Sequence, residues 1–202
     1  MIGLSRSEGV WTVTLNRPDK ANSLTAEMLG DLVSIMRDAQ SAQAVILTGK
    51  GKVFSAGADL EAARAGLATS PLWEELSAAI ADLPCMTLAA LNGTLAGGAF
   101  GMALACDLRI AVPEAKFFYP VMKLGFLPQP SDPGRLAALV GPARAKLILM
   151  GAQRIAAEQA LQMGLIDRVV AGNDLMSDAH DLVAASVSAP PEVARKIKDM
   201  CR

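Results

Sequence analysis

Two glycine-containing segments hold the residues of this sequence that are best suited to chemistry. The first is Ser55–Leu60, with the sequence SAGADL, and the second is Asn92–Gly101, with the sequence NGTLAGGAFG. Small residues let a ligand approach the backbone closely, and a helix beginning near Gly98 would present free N–H groups and the positive end of its dipole. One N–H from each segment could converge on an oxygen that gains negative charge. Spacing alone nevertheless favours the simpler interpretation of tight turns with packing glycines.

Several familiar kinds of catalytic site are excluded by the rest of the sequence. His180 is the only histidine, so a Ser-His-Asp triad would have to use it, and neither a GxSxG nor an HExxH motif is present. The segment Ala44–Gly51 resembles a phosphate-binding loop but lacks its first glycine and its final Ser or Thr. Gly97–Gly101 does not match GxGxxG. We therefore expect His180 to be a solvated surface residue.

Composition indicates one aliphatic globular domain. Of 202 residues, 52% are hydrophobic, 19% are charged and 4% are aromatic, which excludes a disordered chain. Lys and Arg number 19 against 20 Asp and Glu, so there is no basic excess to bind nucleic acid or an anionic membrane. Cys85, Cys106 and Cys201 have no metal-like spacing and predict reduced thiols in a cytoplasmic protein. The N-terminus lacks the apolar core of a signal peptide.

The longest uncharged stretch runs from Pro84 to Cys106. Its length would allow a membrane span. It contains Asn92-Gly93 and Gly97-Gly98, which are turn and loop signals. We therefore predict a strand, a turn and a buried helix here, and no membrane association.

Strand and helix patterns follow one another along the chain without a linker between them. Alternation predicts a half-buried strand at Val10–Leu15, and Thr25 is placed to cap the helix that follows. The remaining patterns predict strands over 44–48, 87–91 and 108–111, a short strand over 166–170, and helices after Ser70-Pro71 and over 98–105, 131–141, 142–151, 156–163 and 174–188. The result is one α/β domain.

Longer blocks of the sequence then match those of a known family. The matching blocks are Asn16–Leu24, Phe54–Leu60, Asn92–Asp107, Ala115–Phe117, Lys123–Pro128 and Ala160–Val169. Together they resemble the crotonase superfamily, the enoyl-CoA hydratase/isomerase group. The resemblance implies a crotonase-like spiral of repeated ββα units with a shortened C-terminal helical region. It divides the chain into a ββα core over 1–173 and a helical segment over 174–202.

The same resemblance assigns a candidate site. The backbone N–H groups of Ala58 and Gly98 would form the oxyanion hole that binds a thioester carbonyl. Contacts with coenzyme A would fall on Lys20, Ala21, Ala56, Ala58, Asp59, Leu60, Gly97 and Gly98. Coenzyme A would enter only as part of the substrate, with no metal, flavin or nicotinamide. The family also implies a homotrimer or a dimer of trimers.

Two departures from the family pattern concern proton transfer. The two catalytic glutamates of family hydratases fall on Gly101 and Val121. Neither residue can carry a proton, and general acid–base groups contribute about 100- to 10,000-fold each. Efficient hydration of an enoyl-CoA is therefore not expected. The chain also ends earlier than is usual in the family, from which we expect a more open CoA site or one roofed by another subunit.

Other residues near these positions could substitute for the missing glutamates. Tyr119 is a poor base at its ordinary pKa near 10, and packing of its ring is the favoured interpretation. Gln129 could orient water but cannot carry charge. Asp132 is placed to be the N-cap of the helix that Pro133 begins, which the sequence favours over a catalytic role. Lys123 is expected to be solvated.

We therefore expect an acyl-CoA enzyme that polarises a thioester and needs little proton relay. Thioester hydrolysis, decarboxylation and double-bond migration with an unrecognised base are the candidate reactions. The alternative is a catalytically silent acyl-CoA binding protein or an assembly subunit.

Overall fold

The computed structural model describes residues 1–201 as a mixed α/β fold. Its strands are β1 (Ile2–Ser7), β2 (Val10–Leu15), β3 (Ala44–Gly49), β4 (Val53–Ser55), β5 (Met86–Leu91), β6 (Thr94–Ala96), β7 (Leu108–Ala111), β8 (Lys116–Phe118), β9 (Ile155–Ala156) and β10 (Arg168–Val169). Its α-helices are α1 (Ala26–Asp38), α2 (Leu60–Arg64), α3 (Leu72–Ala81), α4 (Phe100–Ala105), α5 (Val121–Leu124), α6 (Asp132–Val140), α7 (Pro142–Leu149), α8 (Ala157–Gln162), α9 (Leu175–Ser188) and α10 (Pro191–Met200).

The larger sheet has six strands in the order β1-β2-β3-β5-β7-β10. Strands β1 and β2 are antiparallel, and every other neighbouring pair in this sheet is parallel. From Trp11 to Leu15, strand β2 alternates between buried and half-buried residues, as its pattern predicted. Strand β3 is buried from Ala44 to Thr48, which is typical of a parallel strand covered on both faces. Strand β7 has the predicted bounds, Leu108–Ala111.

A second, four-stranded sheet in the order β4-β6-β8-β9 has no counterpart among the predicted strands. Its strands are only two or three residues long, too short to show an alternating pattern. Each of β3-β4, β5-β6 and β7-β8 contributes its first strand to the large sheet and its second to the small one. Helices follow each of these pairs, so the expected repetition of ββα units is confirmed.

Helix boundaries follow the capping residues that the sequence offers. Thr25 caps α1, where its Oγ1 accepts a hydrogen bond of 3.2 Å from the N–H of Met28. Ser70 Oγ accepts from the N–H of Leu72 at the start of α3, at 3.3 Å. Helices α1, α3, α4, α6 and α7 pack in succession, and α9 lies against β3, β5 and β7. This arrangement places α4 between α3 and α6.

The segment predicted to begin at residue 174 contains α9 and α10, and its final residue, Arg202, lies outside the described residues. The side chain of Gln43 donates to the carbonyl of Val187 at 3.0 Å. Lys198 Nζ donates to the carbonyl of Cys85 at 2.7 Å and to the Asp107 carboxylate at 2.8 Å. The boundary at residues 173 and 174 stays a prediction.

The long uncharged stretch forms β5, β6 and α4, as expected for a strand, a turn and a buried helix. Within residues 1–201, no helix is long and apolar enough to cross a membrane.

Burial raises the pKa of the Cys85 thiol to about 11 and that of the Cys106 thiol to about 12. Both thiols therefore stay protonated and weakly nucleophilic near neutral pH.

Two asparagine side chains hold the loops around the small sheet together. Asn22 is fully buried, accepts from the N–H of Arg17 at 2.8 Å, and donates to the carbonyls of Lys50 and Val53 at 3.0 and 2.7 Å. Asn92 accepts from the N–H of Gly49 and donates to the carbonyl of Gly51, both at 2.9 Å. These bonds tie the β2–α1, β3–β4 and β5–β6 connections to one another.

We expect Asn22→Ala to lower the free energy of unfolding by about 3 kcal/mol, because it leaves buried backbone groups without partners. The control is Asn16→Ala, since Asn16 is exposed and lies in the same loop; we expect it to change stability by less than about 0.5 kcal/mol. Denaturant unfolding of both variants measures the difference. Equal losses would contradict the role assigned to the Asn22 side chain.

Candidate active site

The site is built around a close approach of two backbone segments. Gly57 follows β4 and has a φ of +88°, and Gly97 follows β6 and has a φ of +57°. A Cβ added to Gly57 would lie 2.9 Å from the carbonyl oxygen of Ala96 and 3.4 Å from the amide nitrogen of Gly98. Only glycine fits both the backbone conformation and the space at Gly57. The two segments singled out in the sequence therefore lie side by side.

This contact places the N–H groups of Ala58 and Gly98 beside one cavity. Leu24 forms a β-bridge with Ala58 through the residues on either side of it. The Leu24 N–H donates to the Gly57 carbonyl at 2.8 Å, and the Leu24 carbonyl accepts from the Asp59 N–H at 2.9 Å. Gly98 lies in the 3₁₀ turn Gly97–Ala99 that leads into α4. Within residues 1–201, neither the Ala58 nor the Gly98 N–H has a hydrogen-bond acceptor. Both groups are therefore available to a ligand oxygen.

The cavity has a volume of about 190 Å³ and a predominantly apolar lining. Its walls are formed by Ala56, Ala58, Leu60, Ala63, Ala68, Trp73, Ala96, Gly97, Gly98, Phe118, Tyr119, Pro120, Val121, Leu124, Phe126, Leu127 and Gln129. Two larger clefts, of about 400 and 460 Å³, lie against α9 and α10 and hold none of the predicted site residues. Cavity volume therefore does not identify the candidate site, whereas the backbone N–H groups unpaired within residues 1–201 favour the smallest of these three cavities.

The structure corrects the prediction for Asp132. Its side chain does not cap a helix: Asp132 is the first residue of α6, and its carboxylate points into the protein, where the residue is fully buried. Tyr119 donates its hydroxyl hydrogen to Asp132 Oδ2 at 2.8 Å. A Cβ added to Gly101 on α4 would lie 3.0 Å from Asp132 Oδ1 and 3.5 Å from Oδ2. The carboxylate therefore occupies the space beside Gly101, one of the two positions that lack the expected glutamate.

Burial raises the pKa values of both Tyr119 and Asp132. Desolvation raises the pKa of Asp132 to about 6, although the hydrogen bond from Tyr119 and the charge of Arg135 oppose the shift. Desolvation also raises the pKa of Tyr119, and the neighbouring Asp132 carboxylate adds to the effect. Asp132 Oδ1 is the one buried side-chain oxygen or nitrogen in residues 1–201 without a hydrogen-bond partner. Asp132 therefore changes charge close to neutral pH.

The predicted packing of the Tyr119 ring is confirmed, but its stacking partner could not be predicted from the sequence. Its ring stacks on Phe100 with centroids 5.3 Å apart, and the side chain is buried. Gln129 donates its backbone N–H to the Tyr119 hydroxyl oxygen at 3.4 Å, while its side-chain amide reaches the carbonyl of Ala68 at 3.5 Å. Lys123 and His180 are exposed, as expected. Val121 lines the cavity without offering a polar group.

The residues predicted to contact coenzyme A lie around the two loops beside the cavity. Lys20 and Leu60 are exposed, and the Ala56 N–H donates to the Ala21 carbonyl at 3.0 Å. The Asp59 carboxylate is already engaged: it accepts from Arg17 at 2.8 Å and caps α2 through the N–H groups of Glu61 and Ala62. The hydrogen bond from Arg17 lowers the pKa of Asp59. Contact of these residues with coenzyme A stays a prediction.

The sequence did not predict a polar cluster that joins α3 to α6 and the residue before it. Ser131 donates both its hydroxyl and its N–H to the Glu74 carboxylate on α3. Arg135 on α6 donates to the Ser77 hydroxyl on α3. These residues lie in separate parts of the sequence and match no short motif. Within residues 1–201, no cluster of three or more His, Cys, Asp or Glu side chains could hold a metal ion.

Comparisons with known proteins decide the family. The sequence profile described as enoyl-CoA hydratase/isomerase matches residues 5–202. The chain belongs to the enoyl-CoA hydratase/isomerase family. The resemblance to the crotonase superfamily noted from the sequence is thereby confirmed.

Relatives and solved structures of this family agree over nearly the whole chain. The chain is 39% identical over 203 residues to YngF of Bacillus subtilis, covering 96% of this chain and 78% of the relative. It is 35% identical over 207 residues to carnitinyl-CoA dehydratase of Salmonella enteritidis, covering 98% and 79%. A crystal structure of enoyl-CoA hydratase from Bacillus anthracis superposes with a TM-score of 0.92 at 32% identity, covering 98% of this chain and 81% of that one. The crotonase-like fold is therefore confirmed.

The close approach at Gly57 predicts a specific loss of stability. Gly57→Ala should lower the free energy of unfolding by at least about 2 kcal/mol more than Gly66→Ala, because its Cβ meets backbone atoms. Gly66 is a matched control, since its φ is +101° and a Cβ there would have nothing within 4 Å. Denaturant unfolding of both variants separates backbone strain, which they share, from crowding. Equal losses would show that the two loops can move apart freely.

The raised pKa of Asp132 predicts a pH dependence of stability. The folded state binds the Asp132 proton more tightly than the unfolded chain, whose Asp pKa is 3.8. The free energy of unfolding should therefore fall by up to about 3 kcal/mol as pH rises from about 4 to about 6. Asp132→Asn should remove this fall, while the contributions of other groups remain. Urea unfolding between pH 4 and pH 7 measures how the free energy of unfolding of each protein depends on pH. The same dependence in the wild type and in Asp132→Asn would show that Asp132 does not cause the fall.

Proposed function

We propose that this protein processes a CoA thioester whose carbonyl oxygen binds between the N–H groups of Ala58 and Gly98. There the two donors would stabilise the negative charge of an enolate or of a tetrahedral oxyanion. Such preorganised donors act in a water-poor site, where each is worth about 100- to 1000-fold in rate.

One observation carries this proposal: Ala58 and Gly98 line the same apolar cavity, and within residues 1–201 neither of their backbone N–H groups has an acceptor. Buried or half-buried backbone donors nearly always have partners, so a pair without any indicates a site for a ligand oxygen. Gly57 holds the two segments at a fixed separation. The apolar lining suits an acyl chain better than a polar substrate.

Family relationship supports the choice of coenzyme A as the carrier. The similar proteins are named for reactions of enoyl-CoA and carnitinyl-CoA. We propose that Lys20, Ala21, Ala56, Asp59 and Leu60 contact the coenzyme A part, which enters with the substrate and not as a resident cofactor.

We also propose a cytoplasmic location and a homotrimer or dimer of trimers. Exposed Met122, Leu124, Phe126 and Leu127 offer apolar surface for self-association.

Hydration by a pair of glutamates is not part of the proposal, because positions 101 and 121 hold glycine and valine. Thioester hydrolysis, decarboxylation and double-bond migration remain the candidate reactions. The same two positions favour a second candidate function, a catalytically silent acyl-CoA binding protein or assembly subunit. Turnover of a CoA ester would distinguish the enzyme from the silent binding protein or assembly subunit.

Calorimetry with butyryl-CoA and with free CoA tests binding, and mass spectrometry of enoyl-, hydroxyacyl- and malonyl-type CoA esters tests turnover. Gly98→Pro should lower turnover at least about 100-fold, because proline removes the donor. Gly98→Ala is the matched control: it keeps the N–H while its Cβ lies 3.2 Å from the Trp73 ring.

Thermal unfolding of both Gly98 variants checks that they fold. Binding without any turnover would establish the silent binder. Failure of the wild-type protein to bind any CoA ester would refute the proposed function.

A further inference from the structure

Position 101 lacks a carboxylate of its own, but one from a different helix lies directly beside it. Asp132 comes from α6, yet its Oδ1 lies within 3.0 Å of where a Cβ of residue 101 on α4 would begin. Glycine at 101 leaves room for this carboxylate. A buried carboxylate is costly without hydrogen bonds or a charge partner, and packing alone gives no reason for one here.

The neighbours of Asp132 leave one of its oxygens free. On α3, Glu74 is bound by Ser131, and Ser77 accepts from Arg135 of α6. Helix α4 contributes no titratable side chain. Tyr119 and the charges of Arg135 and Glu74 are thus the ionisable groups that face Asp132. Oδ2 is occupied by Tyr119, while Oδ1 has no partner among residues 1–201.

Tyr119 connects this buried carboxylate to the cavity. It lines the cavity that also holds the Ala58 and Gly98 N–H groups, and its hydroxyl donates to Asp132 at 2.8 Å. The stack on Phe100 fixes the plane of its ring. The hydrogen bond to Asp132 means that uptake of a proton by the Tyr119 oxygen can be matched by release of the hydroxyl proton to Asp132.

We propose that Tyr119 and Asp132 form the proton-transfer pair of this site and move a proton to and from the α-carbon of a bound acyl-CoA. The C–H bond breaks as its proton moves to the Tyr119 oxygen, while the Tyr119 hydroxyl proton moves to Asp132. The electron pair of the C–H bond enters an enolate whose oxygen binds to Ala58 and Gly98. Return of the protons reverses the step. This inference rests on the proposed function.

The two residues have different parts in this step. In this proposal Tyr119 is the catalytic residue, because its oxygen would contact the substrate, and Asp132 is a positioning residue that acts through it by holding the proton. A tyrosine alone is a poor base at neutral pH, whereas a carboxylate with a pKa of about 6 accepts a proton readily there.

Hydrogen–deuterium exchange at the α-carbon of a bound acyl-CoA tests the roles of Tyr119 and Asp132, and it does not require the overall reaction to be identified. Butyryl-CoA is incubated with the protein in deuterated water, and mass spectrometry follows incorporation of deuterium. We expect Asp132→Asn and Tyr119→Phe each to slow exchange at least about 100-fold. Asp82→Asn, on the exposed end of α3, is the matched control and should exchange at the wild-type rate. Calorimetry should show that all variants bind butyryl-CoA within about threefold of the wild type.

The pH profile separates proton transfer from a merely structural role. Wild-type exchange should rise with a midpoint near pH 6, the pKa of Asp132, and residual exchange by Asp132→Asn should lose that midpoint. If Asp132→Asn fails to fold, Tyr119→Phe keeps the ring stack and removes only the hydroxyl.

The outcomes distinguish this inference from the function on which it rests. Failure of the wild type to bind butyryl-CoA or any of the other CoA esters would refute both. Binding without exchange, or exchange that is unaffected by the two variants, would overturn the proton-transfer pair and leave the thioester site standing. A midpoint that persists in Asp132→Asn would also overturn it.

Discussion

The position of Gly57 against Ala96 and Gly98 is the constraint on which the rest of the site depends. Two chain segments from different ββα units meet there at a distance that excludes a Cβ. The small sheet brings β4 and β6 side by side, and the loops that leave them place Ala58 and Gly98 in the lining of one cavity. Asn22 and Asn92 hold the connection between β3 and β4 by hydrogen bonds to the Val53 carbonyl and the Gly49 N–H. The geometry of the donors thus comes from backbone packing, with no functional side chain involved.

Features that depend on local sequence could be predicted well. The Thr25 cap, the alternation in β2 and the bounds of β7 follow from propensities within a few residues. The small sheet could not be predicted, because strands of two or three residues are defined by their neighbours and not by their own pattern. The two glycine-containing segments could be singled out because small residues allow close backbone approach, whereas the assignment of Ala58 and Gly98 as donors came from the family resemblance.

Asp132 shows why the side-chain chemistry was harder to foresee. Sequence places an aspartate before a proline at a helix start, and the usual outcome is a cap. The outcome here depends on Gly101, thirty-one positions earlier in the numbering, which opens space for the carboxylate. It also depends on Tyr119, which supplies a hydrogen bond. Proximity between residues on α4, α6 and the loop after β8 exists only in the folded chain. Such a buried charge lowers stability near neutral pH, as is common where a perturbed pKa serves a function.

The packing of Gly101 against Asp132 has an evolutionary consequence. A Cβ at 101 would lie 3.0 Å from Asp132 Oδ1, so a residue longer than glycine there requires the Asp132 side chain to shift. Under the proposed proton transfer, we expect glycine at 101 and aspartate at 132 to occur together. Members of this family that carry glycine at the position of residue 101 should therefore be grouped by what stands at the position of residue 132.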